Sequence, residues 1–297
     1  MSNINKWNTH IISKKFQYHQ PETINEATSL LSELSMCKVF AGGTDLIPKM
    51  KQRLVEPEHL VNLKKIPDLF GIKETKNGIW IGAATKLSSI EKNLLVKEKI
   101  PLQYLATKTI GSVQIRNMGT LGGNVCNASP AADGALGLVA QNAIVHIAGS
   151  KENRDVLIKE FFTSPGTTIL EKDEIVIGFT VPIMSKGTGY HFISIGRMAL
   201  DISTISIAVT ITRRNEKVVK ATVALGSVAP IPLRIYEAEN FLKDKTLDED
   251  IIHDTAILIS NCIKPITDVR ATAEYRKEAS KGLAMEAIKK AWTKEVE

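Results

Sequence analysis

Gly111-Ser112-Val113-Gln114-Ile115-Arg116-Asn117-Met118-Gly119-Thr120-Leu121-Gly122-Gly123-Asn124, continuing to Ser129-Pro130-Ala131-Ala132-Asp133, decides how this chain is read. Five glycines (111, 119, 122, 123 and, just past the stretch, 134) stand among small hydroxyl and amide side chains. Such a segment can hydrogen-bond a polar ligand along much of its length while offering almost no bulk. Taken as a long loop without secondary structure, it is expected to be functional. It holds no G-x-x-x-x-G-K-[ST], and no G-x-G-x-x-G follows a strand, which argues against a P-loop kinase and a Rossmann nucleotide site.

A shorter glycine turn lies upstream. Ala41-Gly42-Gly43-Thr44-Asp45 follows the apolar run 37–41 and precedes a predicted helix over 46–54, where Pro48 fits only in the first turn. Successive N–H groups in such a turn form an anion-binding concavity, and Thr44 can donate its hydroxyl to a phosphate oxygen. By itself Gly-Gly-Thr is equally an ordinary βα turn. Ahead of it, residues 21–34 predict a helix capped by Thr23. Glu26 follows three residues later, and Ala27, Leu30, Leu31 and Leu34 repeat at helical spacing.

Farther out, Asn77-Gly78 between 71–73 and 79–81 predicts a hairpin. Helices are expected over 87–95, 101–110 and 131–139, the last with Ser129 as N-cap and Pro130 at its first position. Strands are expected over 143–148 and 174–181. After the 185–189 loop the texture changes to three strands (190–198, 204–213 and 217–226, the last two joined at Asn215-Glu216) and three helices (235–242, 248–263 and 272–292). Leu283, Ala284, Ala287, Ile288 and Ala291 form the apolar stripe of the last helix. At roughly 150 residues per domain, 297 residues suggest about two domains.

Composition narrows the function classes. The chain is 43% hydrophobic and 24% charged, ordinary for a globular protein. Its net charge of +6 is not gathered into a basic run, and eight Phe, five Tyr and three Trp are too few for a single-strand stacking platform, so nucleic acid is not expected as a partner. Cys37, Cys126 and Cys262 form no C-x-x-C pair, so neither a zinc knuckle nor a cysteine-held iron–sulfur cluster is expected from this chain, and no metal site is assigned. Residues 1–20 contain Lys6, Lys14 and Lys15 but no apolar run of a secretory signal, and no stretch approaches 18 apolar residues. A cytoplasmic protein without a membrane span is expected.

The two glycine segments together resemble the flavoprotein (medium) subunit of the molybdenum hydroxylases, the group of xanthine dehydrogenase and carbon monoxide dehydrogenase. Residues 41–45 are similar to that family's A-G-G-T-D/H loop, and 115–124 to its I-R-N-x-G-T-x-G-G-N signature, continued at 128–133. Leu170-Glu171-Lys172-Asp173-Glu174-Ile175 resembles its L-x-x-D/E-E-I-L, and Asp268-Val269-Arg270-Ala271-Thr272-Ala273-Glu274-Tyr275-Arg276 its D-x-R-A-S-x-x-Y-R. The family's lysine before the glycine of 193–199, and its second arginine after Arg197, are absent, whereas Asp201 matches.

The resemblance implies an α+β chain with an FAD-binding fold of the PCMH (vanillyl-alcohol-oxidase-like) type. This fold is expected over 1–184, as two α/β subdomains of about 1–58 and 59–184. A C-terminal domain of carbon monoxide dehydrogenase flavoprotein type, three antiparallel strands plus helices, is expected over 190–297. It implies that Ala41, Gly42, Gly43, Thr44, Asp45 and Leu46 hold the FAD pyrophosphate, and that Ile110 and Gly111 lie beside the flavin. Thr120, Gly122 and Gly123 would bond phosphate and ribitol, Asn124, Asn127 (where relatives often have Thr) and Asp133 would line the cofactor, and Val176 would pack on the ring. Neither glycine loop offers a His or Cys for a covalent link, so FAD is expected to be non-covalent, and no catalytic residue is assigned.

The implied role is that of an electron-transfer subunit. It would take electrons from the [2Fe–2S] clusters of a small partner and pass them to an acceptor, while a large molybdopterin subunit hydroxylates the substrate. The three would form a heterotrimer, with its dimerisation left open. NAD⁺, quinone, ferredoxin and oxygen stand as alternative acceptors. A self-contained PCMH-type flavin oxidase or reductase acting on its own small substrate, and a non-enzymatic nucleotide- or anion-binding module, are the competing readings.

Overall fold

The computed structural model describes residues 12, 14–198 and 200–294. Lys6, at the head of the stretch searched for a leader, and Ala199, at the end of the 193–199 comparison, lie outside the described residues. The chain begins with β1 (Gln17–His19), α1 (Ile24–Glu33), β2 (Cys37–Phe40), α2 (Leu46–Lys51) and β3 (His59–Asn62). Both helices act as crossovers, so the three strands are parallel, in the order β1-β3-β2. Helix α1 starts where the sequence signals it: Thr23 Oγ1 accepts the Glu26 N–H at 3.1 Å, and the Glu26 carboxylate accepts the Glu22 N–H at 2.8 Å. Its Ala27 and Leu31 are buried against Val61 and Ile66.

The second sheet is antiparallel. It contains β4 (Ile72–Thr75), β5 (Gly78–Gly82), β6 (Ile144–Ala148), β7 (Asn153–Leu157) and β10 (Ile175–Val181), in the order β4-β5-β10-β6-β7, with β8 (Phe162–Ser164) and β9 (Thr167–Thr168) pairing separately. The Asn77-Gly78 hairpin is present, with Gly78 at φ +141 and so close to Val181 that an added Cβ would stand 2.2 Å from its carbonyl oxygen. Six helices accompany this sheet: α3 (Leu87–Lys92), α4 (Leu94–Lys99), α5 (Pro101–Lys108), α6 (Val113–Met118), α7 (Leu121–Cys126) and α8 (Asp133–Ala140). Ile79, Ile81, Val145, Ile147 and Phe179 from the strands share a core with Leu102, Leu121 and Leu138 from the helices. Each such side chain contributes about 1.5–3 kcal/mol when fully buried.

Three local expectations change here. The helix expected over 87–95 breaks at Asn93, whose side chain accepts the Val96 N–H at 3.1 Å and caps α4. The stretch read as a long loop contains α6 and α7, capped by Ser112 (from the Ile115 N–H, 3.3 Å) and Thr120 (from the Gly123 N–H, 3.0 Å). Gly122 and Gly123, poor helix formers, hid α7, while α6 is only six residues long between Gly111 and Gly119, so that only the capping residues announce the two helices. Ser129 does not cap α8. Its hydroxyl accepts the Ala131 N–H at 3.2 Å, and the helix starts from Ala132 without a side-chain cap.

The C-terminal part carries four antiparallel strands in chain order, not the expected three: β11 (Thr188–Ile195), β12 (Ile205–Arg214), β13 (Lys217–Gly226) and β14 (Leu233–Arg234). The additional strand pairs only through Leu233 and Arg234, too short for an alternating pattern to show in sequence. Asn215 and Glu216 turn β12 into β13 with φ 49 and 60, the left-handed pair that a tight hairpin needs. Helices α9 (Tyr236–Leu242), α10 (Glu249–Cys262) and α11 (Ala273–Thr293) cover one face, and the stripe Leu283–Ala291 is buried there against Ile205, Ile207 and Val209. Ala208 and Ala224, on the same two strands, join the core of the helices over the second sheet instead. Nearly fully buried Arg276 donates to the Ser227 carbonyl at 3.0 Å, to the Thr204 carbonyl and to Asp268 at 2.7 Å. The D-x-R-A-T-x-x-Y-R segment thus ties the start of α11 to strand ends. Among the described residues no helix is long and apolar enough to cross a membrane.

Candidate functional site

A cleft of about 410 Å³ opens between the parallel sheet and the antiparallel one, within the usual range for small-molecule sites. Its walls come from 41–46, 120–127 and 166–176, together with Lys38, Val39, Ala83 and Ala84. The two glycine segments meet because their backbones touch. A Cβ on Gly42 would lie 2.4 Å from Met118 O and 2.8 Å from Gly119 Cα, and one on Gly122 would lie 2.7 Å from Ala83 O. These glycines therefore fit chain to chain. Gly43 is needed for another reason, a left-handed φ of +74 with the Phe40 ring 2.5 Å from where a Cβ would stand.

The two segments offer different chemistry. In the first, the N–H groups of Gly42, Gly43, Thr44, Asp45 and Leu46 have no partner among the hydrogen bonds of the described residues, and all five residues line the cleft. A row of free amides of this kind is an anion nest. In the second, the amides are already engaged: Leu121 donates to Thr85 O (3.1 Å), Gly122 to Ala83 O (2.8 Å), Gly123 to Thr120 Oγ1 (3.0 Å) and Asn124 to Thr120 O (3.0 Å). That segment has side chains to offer instead. Thr120 and Asn124 both line the cleft, and Asn124 Oδ1 is buried without a partner among the described residues, packed against Gly134, 2.6 Å from where a Cβ there would stand.

Charge is arranged around the nest. Lys49, on α2, lines the cleft and donates to Asn127 Oδ1 at 2.7 Å, while Asn127 Nδ2 donates to Asp45 Oδ1 at 3.2 Å, so Asn127 laces α2 to the end of α7. On the far wall, Arg154 grips Glu174 through Nε (2.7 Å) and Nη2 (2.8 Å) and donates to Ile169 O (3.0 Å). The guanidinium holds the Glu174 carboxyl below its ordinary range, offsetting the burial that would raise it. Lys172 reaches from this wall to the Ser32 carbonyl at 2.9 Å, bridging to α1. Cys37 and Cys126 also line the cleft. Burial pushes the Cys126 thiol up to about 12, so at neutral pH it is a protonated, poor nucleophile.

Of the residues expected at the site, Ala41, Gly42, Gly43, Thr44, Asp45, Leu46, Thr120, Gly122, Gly123, Asn124, Asn127 and Val176 line this cleft. Ile110, Gly111 and Asp133 are not among the residues that line it, and Ile110 and Gly111 are half-buried. The carbonyls of Ile110 and Gly111 accept from Arg116 Nη1 at 3.1 and 2.8 Å, and Arg116 is anchored in turn on Glu91 at 2.7 Å. Asp133 Oδ2 accepts from Thr109 (3.0 Å) and Ser203 (2.7 Å) at the seam with the C-terminal part, and burial pushes its carboxyl up. Sequence reasoning missed Lys49, Arg116, Cys37, Cys126 and the 166–174 wall. Lys49 stands one helical turn after Asp45, a spacing that could have pointed to it.

The chain is similar to known proteins along nearly its whole length. Residues 14–184 match the family model described as the FAD binding domain in molybdopterin dehydrogenase, and 190–291 the CO dehydrogenase flavoprotein C-terminal domain. The chain is 35% identical over 277 residues to the glyceraldehyde dehydrogenase medium chain of Sulfolobus acidocaldarius, covering 93% of this chain and 98% of that one. It is 31% identical over 285 residues to the carbon monoxide dehydrogenase medium chain of Hydrogenophaga pseudoflava, covering 96% and 99%. The solved carbon monoxide dehydrogenase from Hydrogenophaga pseudoflava superposes with a TM-score of 0.92 at 32% identity, over 94% of this chain and 98% of that one.

Proposed function

This chain belongs to the FAD-binding subunits of the molybdopterin dehydrogenases, an oxidoreductase family, and from that premise we propose that it relays electrons from an iron–sulfur partner to an acceptor. The supporting observation is the row of free amides at 42–46, which line one cleft together with Thr120 and Asn124 of the second segment. The amides of 42–46, with Lys49 beside them, would hold the FAD diphosphate. Thr120 and Asn124 would supply hydrogen-bonding side chains, and Val176 an apolar wall. Gly122 and Gly123 keep the second loop thin, and Asn127 holds Asp45 and Lys49 in place. Ile110 and Gly111 would lie beside the flavin and Asp133 would line the cofactor, although none of the three lines the cleft itself.

Bound FAD supplies the redox chemistry, taking up electrons singly and releasing them in pairs. The chain's own residues position and shield it. Cys126 stays protonated, which supports non-covalent attachment. In this reading the electrons come from the [2Fe–2S] clusters of a small subunit and go to NAD⁺ or another acceptor, while a large molybdopterin subunit performs the hydroxylation. The units 1–184 and 190–297 divide that work into cofactor clasp and C-terminal support.

The test is purification of the chain with its co-expressed neighbours. Flavin absorbance, an iron–sulfur chain in the same peak and flavin reduction only when the partners receive substrate are expected. A colourless protein that takes up no added FAD would sink the proposal. Flavin reduction by a small organic substrate without partners would favour the self-contained oxidase instead.

A further inference from the structure

Among the described residues the two walls of the cleft are joined in several ways, and these differ in how easily they part. Gly42 meets Met118 and Gly119 backbone to backbone, and Leu31 belongs with Ile175 to one small core. Such close-packed joins do not open without disturbing the fold. Asn127 bridges to Lys49 and Asp45 through two side-chain bonds. Another join is a single exposed bond, from Lys172 Nζ to the Ser32 carbonyl at 2.9 Å, between residues 140 apart. Lys172 lines the cleft on the antiparallel side, and Leu31, next to Ser32, lines it on the parallel side, so this bond crosses from wall to wall.

Both ends of the bond are prepared for it. Ser32 lies in the last turn of α1, where carbonyls run out of donors within the helix and the dipole ends negative. That turn has no basic residue of its own, so Lys172 supplies the capping cation from the opposite wall. The turn that carries Lys172 is braced on both sides. The Glu171 N–H donates to Glu174 Oε2 at 2.7 Å, the Glu174 N–H to the Glu171 carbonyl at 3.2 Å, and the Ser150 N–H to Asp173 Oδ2 at 3.2 Å. Arg154 grips Glu174 in turn. The backbone at 172 is thus fixed, and the exposed side chain has a flexible stem that can release α1 and take hold of it again. We propose that Lys172 is a strap across the cleft, which must let go of α1 before a dinucleotide enters or leaves: a gate for exchange of FAD, not a contact that holds it. The proposal rests on the FAD-binding reading of this cleft.

Exchange kinetics of the full chain test it. Rapid mixing of flavin-stripped protein with FAD gives the uptake rate, and recovery of flavin fluorescence after dilution of the loaded protein gives the release rate. Wild type is compared with Lys172→Met, which keeps the stem and removes the charge, and with Lys172→Arg, which keeps the charge. Lys76→Met, at an exposed lysine of the hairpin that joins β4 to β5, is the control. A gate acts on passage in both directions. Lys172→Met should therefore speed uptake and release together, each about two- to fivefold, the range of an exposed charged contact, with their ratio and the melting temperature at wild-type values. Lys172→Arg and Lys76→Met should keep wild-type rates. Faster release with unchanged or slower uptake would make Lys172 a direct contact of the bound molecule and overturn the proposal, as would wild-type rates in Lys172→Met. A wild-type chain that takes up no FAD would instead defeat the cofactor reading, and that result needs no variant.

Discussion

Gly42→Ala should separate the two loops that form the cleft. The new methyl carbon would start 2.4 Å from Met118 O and 2.8 Å from Gly119 Cα, both backbone atoms that cannot rotate away. Ordinary contact requires about 1 Å of displacement, and overpacking of this kind costs about 1–3 kcal/mol. The same shift carries the 42–46 amides away from the second loop, so a ligand spanning both loses hydrogen-bond distance at one of them. One lost bond to a charged group is worth about 1.5–3 kcal/mol. At 1.4 kcal/mol per decade, FAD should bind roughly 10- to 100-fold more weakly. Fluorescence titration of apoprotein with FAD measures this, with thermal melting run in parallel. Gly282→Ala is the control: nothing lies within 4 Å of its added carbon, so it should gain about 0.5–1 kcal/mol from helix propensity and leave FAD affinity alone. Wild-type affinity and melting temperature in Gly42→Ala would show that the two loops do not depend on close backbone approach.

Two further outcomes follow from the site. Asn127→Leu removes the contacts to Lys49 and Asp45, and loss of about 1 kcal/mol should weaken FAD binding roughly fivefold with little change in melting, read by the same titration. Asp133→Asn bears on pH. Burial raises the folded carboxyl's pKa, so its contribution to stability is full below the ordinary value of about 3.9 and is lost as pH rises through the raised one. Denaturant melts across that range should show wild-type stability falling with pH relative to the Asp133→Asn variant. Parallel curves would mean that the carboxyl carries no such penalty.

How much of this was legible depends on the range of each signal. Thr23 with Glu26, Asn77-Gly78, Asn215-Glu216 and the α11 stripe are local patterns, and each element they mark is present. Strands β1 and β7, of three and five residues, lie at sheet edges and are short and polar, α7 is masked by its glycines, and α6 is only six residues long. For the site, 41–46 and 120–127 could be read because glycine density is itself a local feature. The Lys49–Asn127 contact joins residues 78 apart and Lys172–Ser32 residues 140 apart, so no window of sequence contains them. Residues 110, 111 and 133 belong to the same motif as 120–124, yet they do not line the cleft.

The core that Ala208 and Ala224 share with α5 and α8 has an evolutionary corollary. Cutting the chain at 185–189 would leave the flank of α8 that packs on β12 and β13 facing water, and grafting a relative's C-terminal half onto this one would set foreign side chains against it in place of Ala208 and Ala224. Recombination between paralogues should therefore yield sound proteins only when crossovers preserve alanine-sized partners on both sides. The two halves thus share one core across the seam, even though separate family models describe them.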